Sequence, residues 1–154
     1  MNPWRRQHAL ARTTVVWGAA SVALGSVPAF CSDPWWRAFG QQHVGWGAVD
    51  LALVAVLEAV QRRRMRRLPH PWSPAVLAAE ERRLRTILGV NVAADLGYVA
   101  LGAALWASGQ DRPRTAGAGA AIVLQGVFLA GHDGFHWLAL GGPRVRSRRD
   151  PTSR

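Results

Sequence analysis

The chain has 154 residues, of which 49% are apolar, and a formal charge of +10 from 19 basic and 9 acidic side chains. These averages would suit a basic soluble domain, but the charges are segregated along the sequence. Four apolar stretches cover residues 13–30, 38–61, 86–110 and 115–143. Their only charged side chains are Asp50, Glu58, Asp95 and Asp133. A soluble bundle would carry charges along one face of every helix, so an all-α integral membrane protein is favoured instead.

The first apolar stretch predicts a membrane span over about residues 10–30. Roughly 20 apolar residues, at about 1.5 Å rise per residue, cross the hydrocarbon core of a bilayer. The basic segment Trp4–Arg12, followed by this stretch and by Val27-Pro28-Ala29, also resembles a signal peptide with a cleavage site after Ala29. Both interpretations leave the orientation of the later spans unchanged.

Three more spans are predicted at about residues 42–60, 84–108 and 116–140, which makes one four-span domain of residues 1–154. The runs lack the two-residue alternation of barrel strands, and lipid favours helices because it offers backbone groups no partner. Ser73 and Pro74 suit the N-cap and first position of a helix that reaches Ser108, longer than a bilayer requires. The prolines between Leu68 and Pro74 predict an extended connection before it.

Arginine is distributed unevenly among the connections. Sixteen of the 19 arginines lie before the first span, between the second and third spans, or after the fourth. By the positive-inside rule, both termini, the basic loop 61–83 and the basic tail 144–154 are therefore expected in the cytoplasm. Because the run Arg62–Arg67 directly follows a span, anionic lipid is its expected partner rather than nucleic acid.

Polar residues recur at helical spacing inside three of the predicted spans, so each set shares one helix face. These faces are expected to meet in the bundle. Counting turns brings Asp50, Asp95 and Gln125 to the middle of the membrane. An isolated carboxylate costs about 2.5–3.5 kcal/mol there, so these carboxylates are expected to be neutral or to share a proton. The predicted buried polar centre consists of Asp50, Asn91, Asp95, Tyr98 and Gln125, with hydrogen bonds from the uncharged members to the carboxylates.

A second polar cluster is predicted nearer the cytoplasmic side, and towards the outside only His43 continues the polar track. The cluster consists of Glu58, His132, Asp133 and His136. His132 and His136 share a helix face at i and i+4 and could bind a metal, with Asp95, Asp133 or Asp50 as further ligands. No Glu-x-x-His motif accompanies them. The metal is therefore left unassigned, and no cofactor is predicted.

Three functions remain open at this level. Buried carboxylates favour proton or cation handling. In the main alternative, a structural or accessory subunit, the same groups only hold helices together through hydrogen bonds worth about 1 kcal/mol each. The third hypothesis is an intramembrane metal or haem protein. Because the sequence lacks a nucleophile elbow, a phosphate loop and a cysteine cluster, a non-enzymatic role is favoured.

Small residues recur every four positions on the third and fourth spans, where they could seat a neighbouring helix, a second copy or another membrane protein. The two ridges are Gly89, Ala93, Gly97 and Gly126, Ala130, Gly134.

Several short motifs together resemble an uncharacterised family of short bacterial four-span membrane proteins, a domain of unknown function. They are Trp46-Gly47-Ala48-Val49-Asp50, Arg83-Leu84, Asn91-x-x-x-Asp95-x-x-Tyr98-x-x-x-Gly102, Gly117-x-Gly119, Gln125-Gly126-x-Phe128-Leu129 and Asp133. The resemblance covers about residues 42–136 and leaves the first span outside. It implies a multi-pass protein of the bacterial inner (cytoplasmic) membrane and a four-helix unit, and it implies no activity.

Overall fold

The computed structural model describes residues 2–141, so the predicted basic tail at 144–154 lies outside the described residues. Four long helices account for most of this part of the chain, and residues 2–141 contain no strand. The helices are α1 (Pro3–Ser26), α2 (Pro34–Arg67), α3 (Pro74–Ser108) and α4 (Pro113–Gly141), with a 3-10 turn at Pro28–Phe30 between the first two. The all-α four-helix prediction is confirmed.

All four helices are long and apolar enough to cross a membrane. Large apolar side chains cover the outside of the bundle: Phe135 is 68% exposed and Leu53 is 52% exposed. The buried set, by contrast, includes Asp50, Asp95 and Gln125. This distribution is the reverse of a water-soluble bundle, and it suits a protein that lipid surrounds.

Polar side chains cap three of the helix starts, and a proline follows each cap. The Asp33 carboxylate accepts hydrogen bonds from the backbone N–H groups of Trp35 and Trp36 at 2.9 and 3.0 Å. The Ser73 hydroxyl accepts from the Val76 N–H at 3.4 Å, and α3 runs from Pro74 to Ser108 as predicted. The capping oxygen replaces a backbone partner that the first turn of a helix lacks.

The connection before α3 is less extended than the prolines predict. The Ser73 N–H donates to the His70 carbonyl at 3.0 Å, which closes a turn. Proline restricts the residue before it but does not prevent a turn, and this turn sends α3 back antiparallel to α2. The turn is also tied to the first helix, because the indole N–H of Trp4 donates to the Pro71 carbonyl at 3.1 Å.

Helix α1 packs mainly on α2, and α3 packs mainly on α4, while α2 also contacts α4. Within residues 34–108, no Cα atom of α2 lies within 8 Å of one in α3. The backbones of α2 and α3 are therefore separated, and α4 packs against both of them. One end of the bundle, which we call the arginine end, combines Trp4, Arg64–Arg67, Pro74–Arg85 and Trp137.

Glycines allow the backbones within each helix pair to approach closely. A Cβ atom at Gly47 would lie 2.5 Å from the Gly18 carbonyl oxygen, and one at Gly18 would lie 3.0 Å from the Gly47 carbonyl oxygen. Gly102 and Gly119 form the corresponding contact between α3 and α4, at 2.9 and 2.6 Å. A side chain at any of these positions would force the paired helices apart.

The small-residue ridges predicted on α3 and α4 have different surroundings along their length. A Cβ atom at Gly126 would lie 2.8 Å from a methyl carbon of Val99, so this position packs inside the chain. Gly89 lies against the indole of Trp137, whereas a Cβ atom at Gly97 would meet no other helix of the described residues within 4 Å. Contact with a second copy or another protein stays a prediction.

Candidate functional site

A buried hydrogen-bonded chain joins three helices at the centre of the bundle. The side-chain amide of Gln125 on α4 donates to the Asp50 carboxylate on α2 at 2.6 Å. The indole N–H of Trp17 on α1 donates to the Gln125 carbonyl oxygen at 2.9 Å. Trp17 also stacks on Phe128, with ring centroids 3.8 Å apart. Trp17 was not among the residues predicted for this centre, although an indole N–H inside an apolar span needs an acceptor.

The Asp95 carboxylate lies near this chain but outside its hydrogen bonds. Asp95 is 7% exposed, and its Oδ2 atom is buried without a hydrogen-bond partner. The backbone of α3 at Asp95 faces Gly126 of α4, where a Cβ atom would lie 3.1 Å from the Asp95 carbonyl oxygen. Buried polar atoms are normally paired, so the free oxygen of Asp95 is an exception among the buried groups of folded proteins.

Two predicted members of the polar centre do not bind its carboxylates. Asn91 donates to Asp133 at 2.8 Å, because it lies one turn nearer the arginine end than Asp95 and faces α4 there. Tyr98 is 42% exposed, and its ring contacts that of Trp46 on α2 at a centroid distance of 5.3 Å. The prediction that Asn91 and Tyr98 hydrogen bond to Asp50 or Asp95 was therefore wrong.

Three of the four residues in the predicted second cluster are close together on α4. His132 Nδ1 lies 3.0 Å from Asp133 Oδ1, and the rings of His132 and His136 are 5.1 Å apart. His132 Nε2 and His136 Nδ1 are buried without partners. Among residues 2–141, no group of three or more His, Cys, Asp or Glu side chains is arranged to hold a metal ion.

Glu58, the fourth residue of the predicted cluster, has its ion-pair partners elsewhere than at His132 and His136. Its carboxylate pairs with His8 of α1 at 2.9 Å and with Arg62, one turn along α2, at 3.4 Å. The periodicity of α2 placed Glu58 near the polar face. The close packing of α1 on α2 turns it toward α1 instead.

Glu80 is a buried acidic residue that was not among the predicted site residues. It is 2% exposed, and one carboxylate oxygen accepts a 2.8 Å hydrogen bond from Arg64 Nε of α2. Its other oxygen lies 3.7 Å from an Arg83 nitrogen. The spacing of three residues between Glu80 and Arg83 predicts an ion pair on one helix face. The second partner, Arg64 of α2, comes close only because the turn before α3 brings these ends of the two helices near each other. The ion pair connects α2 and α3 at the arginine end.

A cavity of about 380 Å³ occupies the space between α2 and α3, and α1 and α4 complete its walls. Asp50 and Asp95 line its deep end, and Arg64 and Arg83 line its rim at the arginine end. Most of the wall between these ends is apolar, and it includes Leu53, Val54, Leu57, Leu84, Ile87 and Leu88. The cavity therefore connects the buried carboxylates with the arginine end.

Two further buried polar groups lie beyond the carboxylates, toward the other end of the bundle. Ser21 is 1% exposed and His43 is 4% exposed, and both Ser21 Oγ and His43 Nδ1 lack partners. Gly18 packs beside Asp50, and Gly25 packs against His43, so Ser21 of α1 lies between these two levels. Polar groups thus continue past the centre, where the sequence had indicated only His43.

The fold and this polar centre define an all-α protein with four helices of membrane-spanning length around buried carboxylates. Residues 13–134 match the family of unknown function DUF6992, and the chain belongs to that family. The match includes most of α1, so the expectation that the family resemblance leaves out the first span was wrong. Neither a curated protein nor a solved structure gave a match.

Proposed function

We propose that the protein is a non-enzymatic, multi-pass membrane protein that handles protons at Asp50 and Asp95. The supporting observation is the buried Asp95 carboxylate, whose Oδ2 atom has no partner and which lines the same cavity as Asp50. A buried carboxylate with a free oxygen is able to gain and lose a proton without breaking a hydrogen bond. Carboxylates at membrane depth are costly, and they commonly serve ion or proton pathways.

Polar groups extend the proposed path in both directions. Toward the arginine end, the cavity offers access from the surface to Asp95. Toward the other end, Ser21 Oγ and His43 Nδ1 are buried groups with free hydrogen-bonding capacity. Hydroxyl and imidazole groups both donate and accept protons, so they suit a relay beyond Asp50.

The arginine distribution orients this path. We propose that the arginine end faces the cytoplasm of a bacterium and that the helices cross its inner membrane. The cavity would then open to the cytoplasm, and Ser21 and His43 would lie on the outward path. In the same arrangement, the arginine-rich loop would contact the anionic lipid headgroups of the cytoplasmic leaflet.

A structural role is the second candidate, and one observation favours it. The Gln125 amide bonds to both Trp17 and Asp50, and thereby ties α4 to α1 and α2. A structural or accessory subunit could use such contacts only to fix its helices. This hypothesis does not account for the free oxygen of Asp95.

Proton flux into liposomes with an internal pH-sensitive dye separates the two candidates. Asp50→Asn and Asp95→Asn keep the side-chain shape but remove the ionisable proton. We expect both variants to fold and to lose the flux that the wild-type protein gives. Asp111→Asn, at an exposed position outside the cavity, is the matched control and should retain it. Unchanged flux in the Asp50→Asn/Asp95→Asn double variant would exclude the proton role, and the structural role would stand.

A further inference from the structure

The cavity between α2 and α3 combines three features of a ligand site. Its volume of about 380 Å³ falls within the common range for small-molecule pockets. Its walls are mainly apolar, and polar side chains lie at both ends and also between them, at Glu58, Asn91 and Asp133. At the deep end, Asp95 is 7% exposed and offers an oxygen without a protein partner.

At the deep end of the cavity, the carboxylates outnumber the basic side chains near them. Asp95 faces Asp50 from α2 and Asp133 and His132 from α4, and the α1 residues that line the cavity are uncharged. The nearest cavity arginine on the same helix, Arg83, is 12 positions away, which corresponds to about 18 Å along α3. A carboxylate in apolar surroundings gains most from an opposite charge placed beside it.

Aromatic rings complete this end of the cavity. Trp46 lies one turn beyond Asp50 on α2, and Tyr98 lies one turn beyond Asp95 on α3. Their rings meet edge to face at a centroid distance of 5.3 Å, and both residues line the cavity. Aromatic faces attract cations, and they do so more strongly where water is excluded.

The side of the cavity is accessible from the outer surface of the bundle. Several of its wall residues are about half exposed: Leu53 at 52%, Leu57 at 55% and Ile87 at 43%. Because this outer surface is apolar, a ligand that approaches through it must itself be lipophilic.

We propose that this cavity binds a lipophilic monocation, with the positive charge beside Asp95 and Asp50 and the apolar groups against Trp46, Tyr98 and the leucine-rich wall. The occupant is thus defined by charge complementarity to the carboxylates and by the apolar wall. Binding uses a carboxylate of the proton proposal but goes beyond it, because it does not require proton movement through the protein. Protonation of Asp95 removes the negative charge, so protons and the cation compete for the site.

Tetraphenylphosphonium and tetraphenylborate form a matched pair of probes, since they share size and shape and differ in the sign of the charge. Equilibrium dialysis of the full-length protein in detergent should show binding of the phosphonium and not of the borate. The smaller benzyltrimethylammonium and its uncharged carbon analogue, neopentylbenzene, test the same preference in a smaller volume. Cation binding should weaken as the pH falls.

Asp95→Asn should weaken phosphonium binding about tenfold or more, because the attraction between the cation and the buried carboxylate is lost. Asp111→Asn, outside the cavity, should leave binding unchanged. Tyr98→Leu keeps both carboxylates and should weaken binding about threefold, which provides a second test if Asp95→Asn does not fold.

Equal binding of the two tetraphenyl ions, or of benzyltrimethylammonium and neopentylbenzene, would overturn the proposal and indicate a site for neutral amphiphiles. Absence of cation binding, or full binding by folded Asp95→Asn, would also overturn it. Cation binding without proton flux would refute the proton proposal and leave this one intact. Proton flux without cation binding would refute the cation proposal and leave the proton proposal intact.

Discussion

Gln125 and Asp50 are joined by a 2.6 Å hydrogen bond that connects α4 with α2 inside the bundle. The orientation of the Gln125 amide follows from its other partner. The indole of Trp17 can only donate, so the Gln125 carbonyl must face it, which leaves the amide nitrogen for Asp50. One side chain therefore meets a donor on α1 and an acceptor on α2.

Gln125→Leu should destabilise the folded protein by about 1–3 kcal/mol, because it leaves the buried Asp50 carboxylate and the half-buried Trp17 indole N–H without their partner. Unfolding in mixed detergent micelles, followed by circular dichroism, would measure the loss. Gln110→Leu changes an exposed glutamine and serves as the control, with little expected effect. Equal stability of Gln125→Leu and the wild-type protein would show that the chain of hydrogen bonds contributes nothing to folding.

The close contact between α1 and α2 can be tested with two glycines on the same helix. A Cβ atom at Gly47 would lie 2.5 Å from the Gly18 carbonyl oxygen, whereas one at Gly45 would meet no other helix of the described residues within 4 Å. Gly47→Ala should cost about 1–3 kcal/mol by overpacking. Gly45→Ala should be neutral or stabilise the helix by up to about 1 kcal/mol. The same micelle unfolding experiment compares them, and similar effects at both positions would contradict the packing of α1 on α2.

The arginine asymmetry predicts the topology of the chain. Sixteen of the 19 arginines fall before the first span, between the second and third spans, or after the fourth. A reporter fused after Arg154, or inserted between Leu68 and Ser73, should therefore be active only if it functions in the cytoplasm. Activity of a periplasm-only reporter at either position would contradict the orientation. A fusion between Gln110 and Pro113 should give the opposite result.

The histidine pair offers a test of the metal hypothesis. His132 and His136 have ring centroids 5.1 Å apart, but within residues 2–141 no third potential ligand completes a metal-binding group with them. We therefore expect the purified protein to keep its thermal stability in chelator and to show no haem absorption. Elemental analysis is the direct measurement. About one transition metal per chain, lost in both His132→Ala and His136→Ala, would move the protein into the metalloprotein class.

Much of the helical architecture was predictable because it depends on local patterns. Apolar length predicted four helices, and the cap at Ser73 with Pro74 predicted where α3 begins. Counting turns brought Asp50 and Gln125 to the same level, since the rise per residue of a helix is constant. Those two side chains are hydrogen bonded in the folded chain.

Partner choice between helices was less predictable. Periodicity assigns a side chain to a face of its own helix, but it does not specify which neighbour that face meets. Asn91 was expected to bind the central carboxylates and instead donates to Asp133. Glu58 was expected in a cluster with His132 and His136, and its carboxylate pairs with His8 of α1.

The sequence by itself determined which segments are helical, where charge is excluded and which polar residues share a helix face. Only the tertiary structure decided that Trp17 completes the buried chain, that Glu80 pairs with Arg64, and that a cavity separates α2 from α3. The physical reason is that helix formation depends on neighbours along the chain. The rotation and spacing of helices depend instead on close contacts such as Gly18 with Gly47, between residues far apart in sequence.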